Sequence, residues 1–214
     1  MPVAAPGYVP ISVRSAVPNA IALWATILTG SYALLTLISA ALTPAAVDEA
    51  KILLADPENQ DAVGTQDPVS LLTWPILIAS YVLLALWMSR IRTARMARGE
   101  AIGGPPAVEW WGWFVPLANM VLPVLGMRAI TKGRAGVGLL VGWWAGVVAY
   151  LGAIVVTIFV VFSSIDFATA EFSNLENLDS LVGIQWASAV ALTVAWVFLA
   201  MIIRVTTRRE AEAS

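Results

Sequence analysis

Hydrophobic positions in this chain do not alternate with polar ones. They run together in four long stretches without a charged residue, 15–47, 68–89, 135–165 and 180–203. Each exceeds the roughly 20 apolar residues that a helix needs to cross about 30 Å of hydrocarbon. Backbone in lipid must satisfy its own hydrogen bonds, so these stretches are expected as helices. The pattern predicts an all-α fold, an integral membrane four-helix bundle made of two helical hairpins. Spans are placed near 20–42, 69–89, 137–162 and 181–203. They form a membrane domain over 20–204, between a proline-rich, disordered leader (1–19) and a short tail (205–214).

Charge orients the bundle. Between spans one and two the single basic residue is Lys51, against Asp48, Glu49, Asp56, Glu58, Asp61 and Asp67. Between spans three and four there is none, against Asp166, Glu171, Glu176 and Asp179. The other eleven of the 12 basic residues lie on the opposite side. Cytoplasmic loops are enriched in lysine and arginine. The expected placement is therefore multi-pass in a bacterial plasma membrane, with both termini cytoplasmic and two acidic loops outside. The first span is longer than a signal-peptide core and its leader carries only Arg14, so it is expected to stay as an anchor.

One further apolar run tests this topology. Trp110 to Met127 is 18 residues without a charge, at the short limit for a span. Were it to cross, Arg128, Lys132, Arg134 and the C-terminal arginines would move outside. Pro116 and Pro123 also interrupt it. The segment 108–128 is expected to be interfacial or re-entrant on the cytoplasmic side, with Trp110, Trp111 and Trp113 at headgroup level.

Flanking segments add detail. Thr43, Pro44, Asp48 and Glu49 are suited to begin a short outer helix through Ala55. The acidic run Asp56 to Asp61 lacks the glycine of a calcium-binding loop. Arg90, Arg92, Arg95 and Arg98 should ride on a basic extension of the second helix, ended by Gly99. They serve either as a topological anchor or as a site for anionic lipid or an acidic partner.

Composition then removes most chemistry. The chain is 59% hydrophobic and 12% charged, with no histidine and no cysteine. Histidine-ligated haem, HExxH zinc sites, Ser-His catalysis and thiolate chemistry lack their carriers. No ionisable Asp, Glu, Lys or Arg lies within a span, so a charged proton relay is missing too. No phosphate-binding glycine loop is present. The expectation is a non-enzyme with no cofactor, no metal and no nucleic acid partner.

Small residues at four-residue spacing mark helix packing. Span three carries Gly138, Gly142 and Gly146, and span four carries Gly183, Ala187 and Ala191. Such ridges let backbones approach closely. They serve either to pack the two spans on each other or to dock a second copy or partner.

The run Trp113-Phe114-Val115-Pro116-Leu117-Ala118-Asn119-Met120-Val121-Leu122-Pro123, followed by Arg128, resembles a signature of uncharacterised actinobacterial membrane proteins, the domain of unknown function 4328 family. The resemblance covers most of the chain. It implies a few hydrophobic helices with this motif before the second hairpin, and it implies no reaction. Physically, Pro116 and Pro123 orphan carbonyls one turn earlier, and the Asn119 amide is equipped to satisfy them. The segment is either a plug at the cytoplasmic end or a lipid- or ligand-facing gate. The functional expectation is a scaffold, regulator or accessory subunit of an envelope complex, partnered by the bilayer and by another membrane protein or a second copy. The rival is a small oligomeric channel or transporter for a neutral or apolar solute.

Overall fold

A computed structural model describes residues 19–55, 68–105, 107–112, 121–166, 171–172 and 175–213. The charge-free stretches fold as four long helices: α1 (Asn19–Ala55), α2 (Pro68–Ala97), α5 (Val137–Ser163) and α6 (Ser180–Glu212). Each is long and apolar enough to cross a membrane. Two short helices, α3 (Val108–Trp111) and α4 (Leu122–Thr131), stand between the hairpins. Between α5 and α6 lies a minimal antiparallel ladder, with Ile165 opposite Phe172 and Asp166 opposite Glu171. A 3-10 turn, Leu175–Asp179, leads into α6. The fold class is an all-α membrane four-helix bundle.

Helix α1 is a single element of 37 residues with Pro44 inside it. The separate outer helix expected from Thr43 onward does not form. Proline at this position removes the N–H that would reach Ala40 and sets its ring against that carbonyl, a local cost that the long helix absorbs. In the same turn the Thr43 hydroxyl donates to the Ser39 carbonyl at 2.8 Å. The other span threonines behave alike: Thr26, Thr36, Thr73, Thr157 and Thr193 each donate to the carbonyl four residues back. Their hydroxyls are satisfied within their own helix.

The packing order is α2–α1–α6–α5, and α2 and α5 make no extended contact with each other. At one end α4 touches both, and α3 touches α2 and α4. That end carries the basic segments. Trp87, Met88 and Ile91 of α2, Met127 and Ile130 of α4, and Ile202 of α6 form a buried core there. Trp87 Nε1 donates to Thr207 Oγ1 at 3.0 Å, tying α2 to α6. At the acidic end, Lys51 pairs with Asp179 at 2.6 Å. The outward faces are apolar: Phe159 is 71% exposed and Val155 65%. In a membrane these are lipid contacts rather than a liability.

Helix contacts are close where small residues face large ones. A Cβ on Gly30 would meet the Trp196 ring at 2.9 Å, and Trp196 Nε1 donates to the Thr26 carbonyl across the same α1–α6 seam. A Cβ on Gly142 would meet the Phe198 ring at 2.6 Å. On Gly146 it would meet Ala195 Cβ at 2.8 Å and the Ala191 carbonyl oxygen at 2.9 Å. These two glycines therefore seat α5 on α6. Gly138 and Gly183 have nothing within 4 Å of such an atom, and Ala187 is exposed.

Candidate functional site

The densest polar chemistry lies at the basic end, and the local sequence explains how it forms. The chain turns out of helix α2 at Gly99, two residues past its end, whose φ of +77° is a left-handed value that glycine adopts freely. The Gly99 N–H donates to the Met96 carbonyl at 2.9 Å and the Glu100 N–H to the Arg95 carbonyl at 3.1 Å. This is a Schellman termination. It folds the chain back so that the Glu100 carboxylate lies on the last turn of its own helix. Arg95 Nε donates to it at 2.8 Å and Arg98 Nη2 at 3.0 Å. Arg134, from the α4–α5 connection, adds a third donor at 3.1 Å. Partial desolvation alone would raise the Glu100 carboxyl. Hydrogen bonds from Arg95 and Arg98 and the charges of Arg95 and Arg134 outweigh it and hold the group down at about 2.

A second carboxylate joins the layer from α6. Glu210 is 2% exposed, and Arg98 Nη2 donates to its Oε2 at 2.5 Å. Arg134 Nε lies against the other oxygen, off the line of a hydrogen bond. Arg95 is 4% exposed and also donates Nη1 to the Ile130 carbonyl at 2.6 Å, closing the last turn of α4. Arg209 Nη1 donates to the Gly133 carbonyl at 2.9 Å. Arg92 Nε stands 3.3 Å from Oε2 of Glu109, which is 3% exposed on α3. All six elements of this end, α2, its terminal turn, α3, α4, the following loop and α6, are thereby cross-tied.

Helix α3 also reaches along α2. The Tyr81 hydroxyl donates to the Trp110 carbonyl. A Cβ on Gly126 of α4 would meet Val108 at 3.0 Å and Met88 at 3.4 Å. Tyr81 precedes Ser89 by about 12 Å of helix.

Of the residues singled out in the sequence, Arg92, Arg95 and Arg98 face carboxylates of their own chain, while Arg90 is exposed. Pro123 is buried in the first turn of α4, and Arg128 is exposed in its last turn. Trp113, Phe114, Pro116 and Asn119 lie outside the described residues, as do most of the leader and the acidic run 56–61. Sequence reasoning missed Glu100, Glu109 and Glu210. Their signal was available: they are carboxylates embedded in otherwise basic segments.

A second polar locus lies nearer the acidic end. A cleft of about 170 Å³ opens between α1, α5 and α6, lined by Thr36, Tyr150, Thr157, Gln185 and Ser188. Tyr150 and Tyr32 share a hydroxyl–hydroxyl bond of 2.6 Å across α5 and α1. Among the described residues no group of three or more acidic side chains is placed to hold a metal ion.

The fold and these loci define a multi-pass α-helical membrane protein. The family profile described as "Domain of unknown function (DUF4328)" matches residues 51–208. The chain belongs to that family. No curated protein and no solved structure matched it.

Proposed function

We propose that this is a non-enzymatic membrane protein that acts as a scaffold, regulator or accessory subunit of an envelope complex. The observation that carries the reading is the ionic layer at the basic end. Its arginines and carboxylates are committed to one another and to backbone carbonyls, which suits a rigid platform better than a reactive or transporting site. Exposed cations stand around it, Arg90, Arg128, Lys132 and Arg204 among them. They suit contact with anionic headgroups, each worth about 1 kcal/mol near such a surface. The orientation that fits is basic end and both termini in the cytoplasm of a bacterial cell. The bond from Tyr81 to Trp110 favours a re-entrant course for the segment containing α3 and α4 over one lying flat in the interface.

Extraction in mild detergent followed by intact-complex mass measurement tests the role. A partner at fixed stoichiometry is expected. A partner-free homo-oligomer that passes a neutral solute in proteoliposomes would instead support an oligomeric channel.

A further inference from the structure

We propose that the cleft between α1, α5 and α6 binds the head of an uncharged bilayer lipid bearing a hydroxyl and ester carbonyls, of the diacylglycerol type. The polar lining is wholly neutral: three hydroxyl types and one amide. Gln185 and Ser188 have no hydrogen-bond partner among the described residues. Ser188 is only 5% exposed and lines the cleft. An amide and a hydroxyl left unpaired in apolar surroundings cost free energy that a ligand offering complementary groups would recover.

The donor and acceptor inventory selects the ligand. Gln185 brings two N–H donors, which match ester carbonyls. The Tyr32–Tyr150 pair uses one of its two protons internally, so one phenol O–H remains to donate. Thr36 and Thr157 spend their protons on backbone carbonyls, at 2.9 Å and 3.0 Å, and keep oxygen lone pairs for a ligand hydroxyl. A phosphate finds no cation in the lining. Lys51, the basic residue of this end, is paired with Asp179.

Access and size agree. The cavity equals several water volumes of about 30 Å³ each, room for a glycerol ester head but not for acyl chains. Ile154 and Ile158 flank it and are 37% and 50% exposed, so it opens sideways onto lipid, where the chains would lie. Toward the basic end it is closed by the Gly146–Ala195 contact and by buried Trp143 and Leu199. The cleft is therefore a pocket within one chain rather than a pore.

The test uses the full chain in phosphatidylcholine nanodiscs containing a small fraction of photoactivatable diacylglycerol, with cross-linked peptides mapped by mass spectrometry. Labelling is expected on α5 around Tyr150–Ile158 and on α6 around Gln185–Ser188. Unlabelled diacylglycerol should compete with it, and added phosphatidylcholine of the same chains should not. Gln185→Leu should lower labelling about fivefold, the loss of roughly one hydrogen bond. Tyr150→Phe, which keeps the shape, provides a second variant should the first fail to fold. Uniform labelling of all lipid-facing helices, or equal competition by phosphatidylcholine, would overturn the proposal. So would competition by free glycerol alone, which would assign the cleft to a soluble polyol.

Discussion

Replacing Glu210 with glutamine keeps its volume and deletes the charge between Arg98 and Arg134. The carboxylate is 2% exposed, whereas the arginine side chains are 26% and 15% exposed. Breaking a fully buried pair costs about 3–5 kcal/mol because the survivor is left uncompensated. Here both arginines retain Glu100, at 3.0 Å and 3.1 Å, and water reaches part of Arg98. The cost should fall to about 2–3 kcal/mol. For a chain of this size that lowers the midpoint of thermal unfolding by roughly 4–12 °C. Tryptophan fluorescence of detergent-solubilised protein follows the transition, with Glu212→Gln as control. The Arg208–Glu212 pair is exposed, 81% and 60%, and its loss should shift the midpoint little. A Glu210→Gln protein that melts with the wild type, or a control that falls equally far, would refute the idea that this layer clamps the bundle.

Other outcomes follow from the same contacts. Glu100 sits below its ordinary value, so its stabilisation is complete above about pH 4.5 and drains away as pH falls toward about 2. Glu100→Gln should flatten the acid limb of a melting-point-against-pH profile in that window. Gly146→Leu should cost at least about 1–3 kcal/mol by overpacking against Ala191 and Ala195, read as a lower melting point or lost assembly. Gly138→Ala and Gly183→Ala meet open space and should be neutral or stabilising by up to about 1 kcal/mol. Thr207→Val leaves the Trp87 indole N–H without its acceptor and should cost about 1–2 kcal/mol in the same melt.

The four helices were legible because lipid forbids most alternatives: a long charge-free stretch has one way to satisfy its backbone. Pairwise chemistry was less so. Arg98 and Glu210 are 112 residues apart, and no spacing rule connects them. Gly99 was the local clue, since a left-handed stop after the fourth arginine obliges the next residue to fold back. The glycine ridge was readable only in part. Gly142 and Gly146 face α6, but by Gly138 no atom of another helix is near enough to touch an added Cβ. Four-residue spacing places residues in one row without saying how far the neighbouring helix follows it. The proline at 44 misled because its cost, a lost hydrogen bond and a ring–carbonyl clash, is less than a long apolar helix gains by continuing. The cleft was unreadable since its polar groups come from three helices.

Topology is the claim on which the rest depends, and the absence of native cysteine makes it directly measurable. Single cysteines at Asp48, Glu176, Lys132 and Arg208 can be treated with a membrane-impermeant maleimide in intact cells and in inverted vesicles. The account expects Lys132→Cys and Arg208→Cys to react together on one side, and Asp48→Cys and Glu176→Cys together on the other. Labelling of Lys132→Cys from the side opposite to Arg208→Cys would mean that the second hairpin does not cross twice, and labelling of Asp48→Cys and Glu176→Cys from opposite sides would mean that the segment before Lys132 crosses the membrane; either would contradict the four-span bundle.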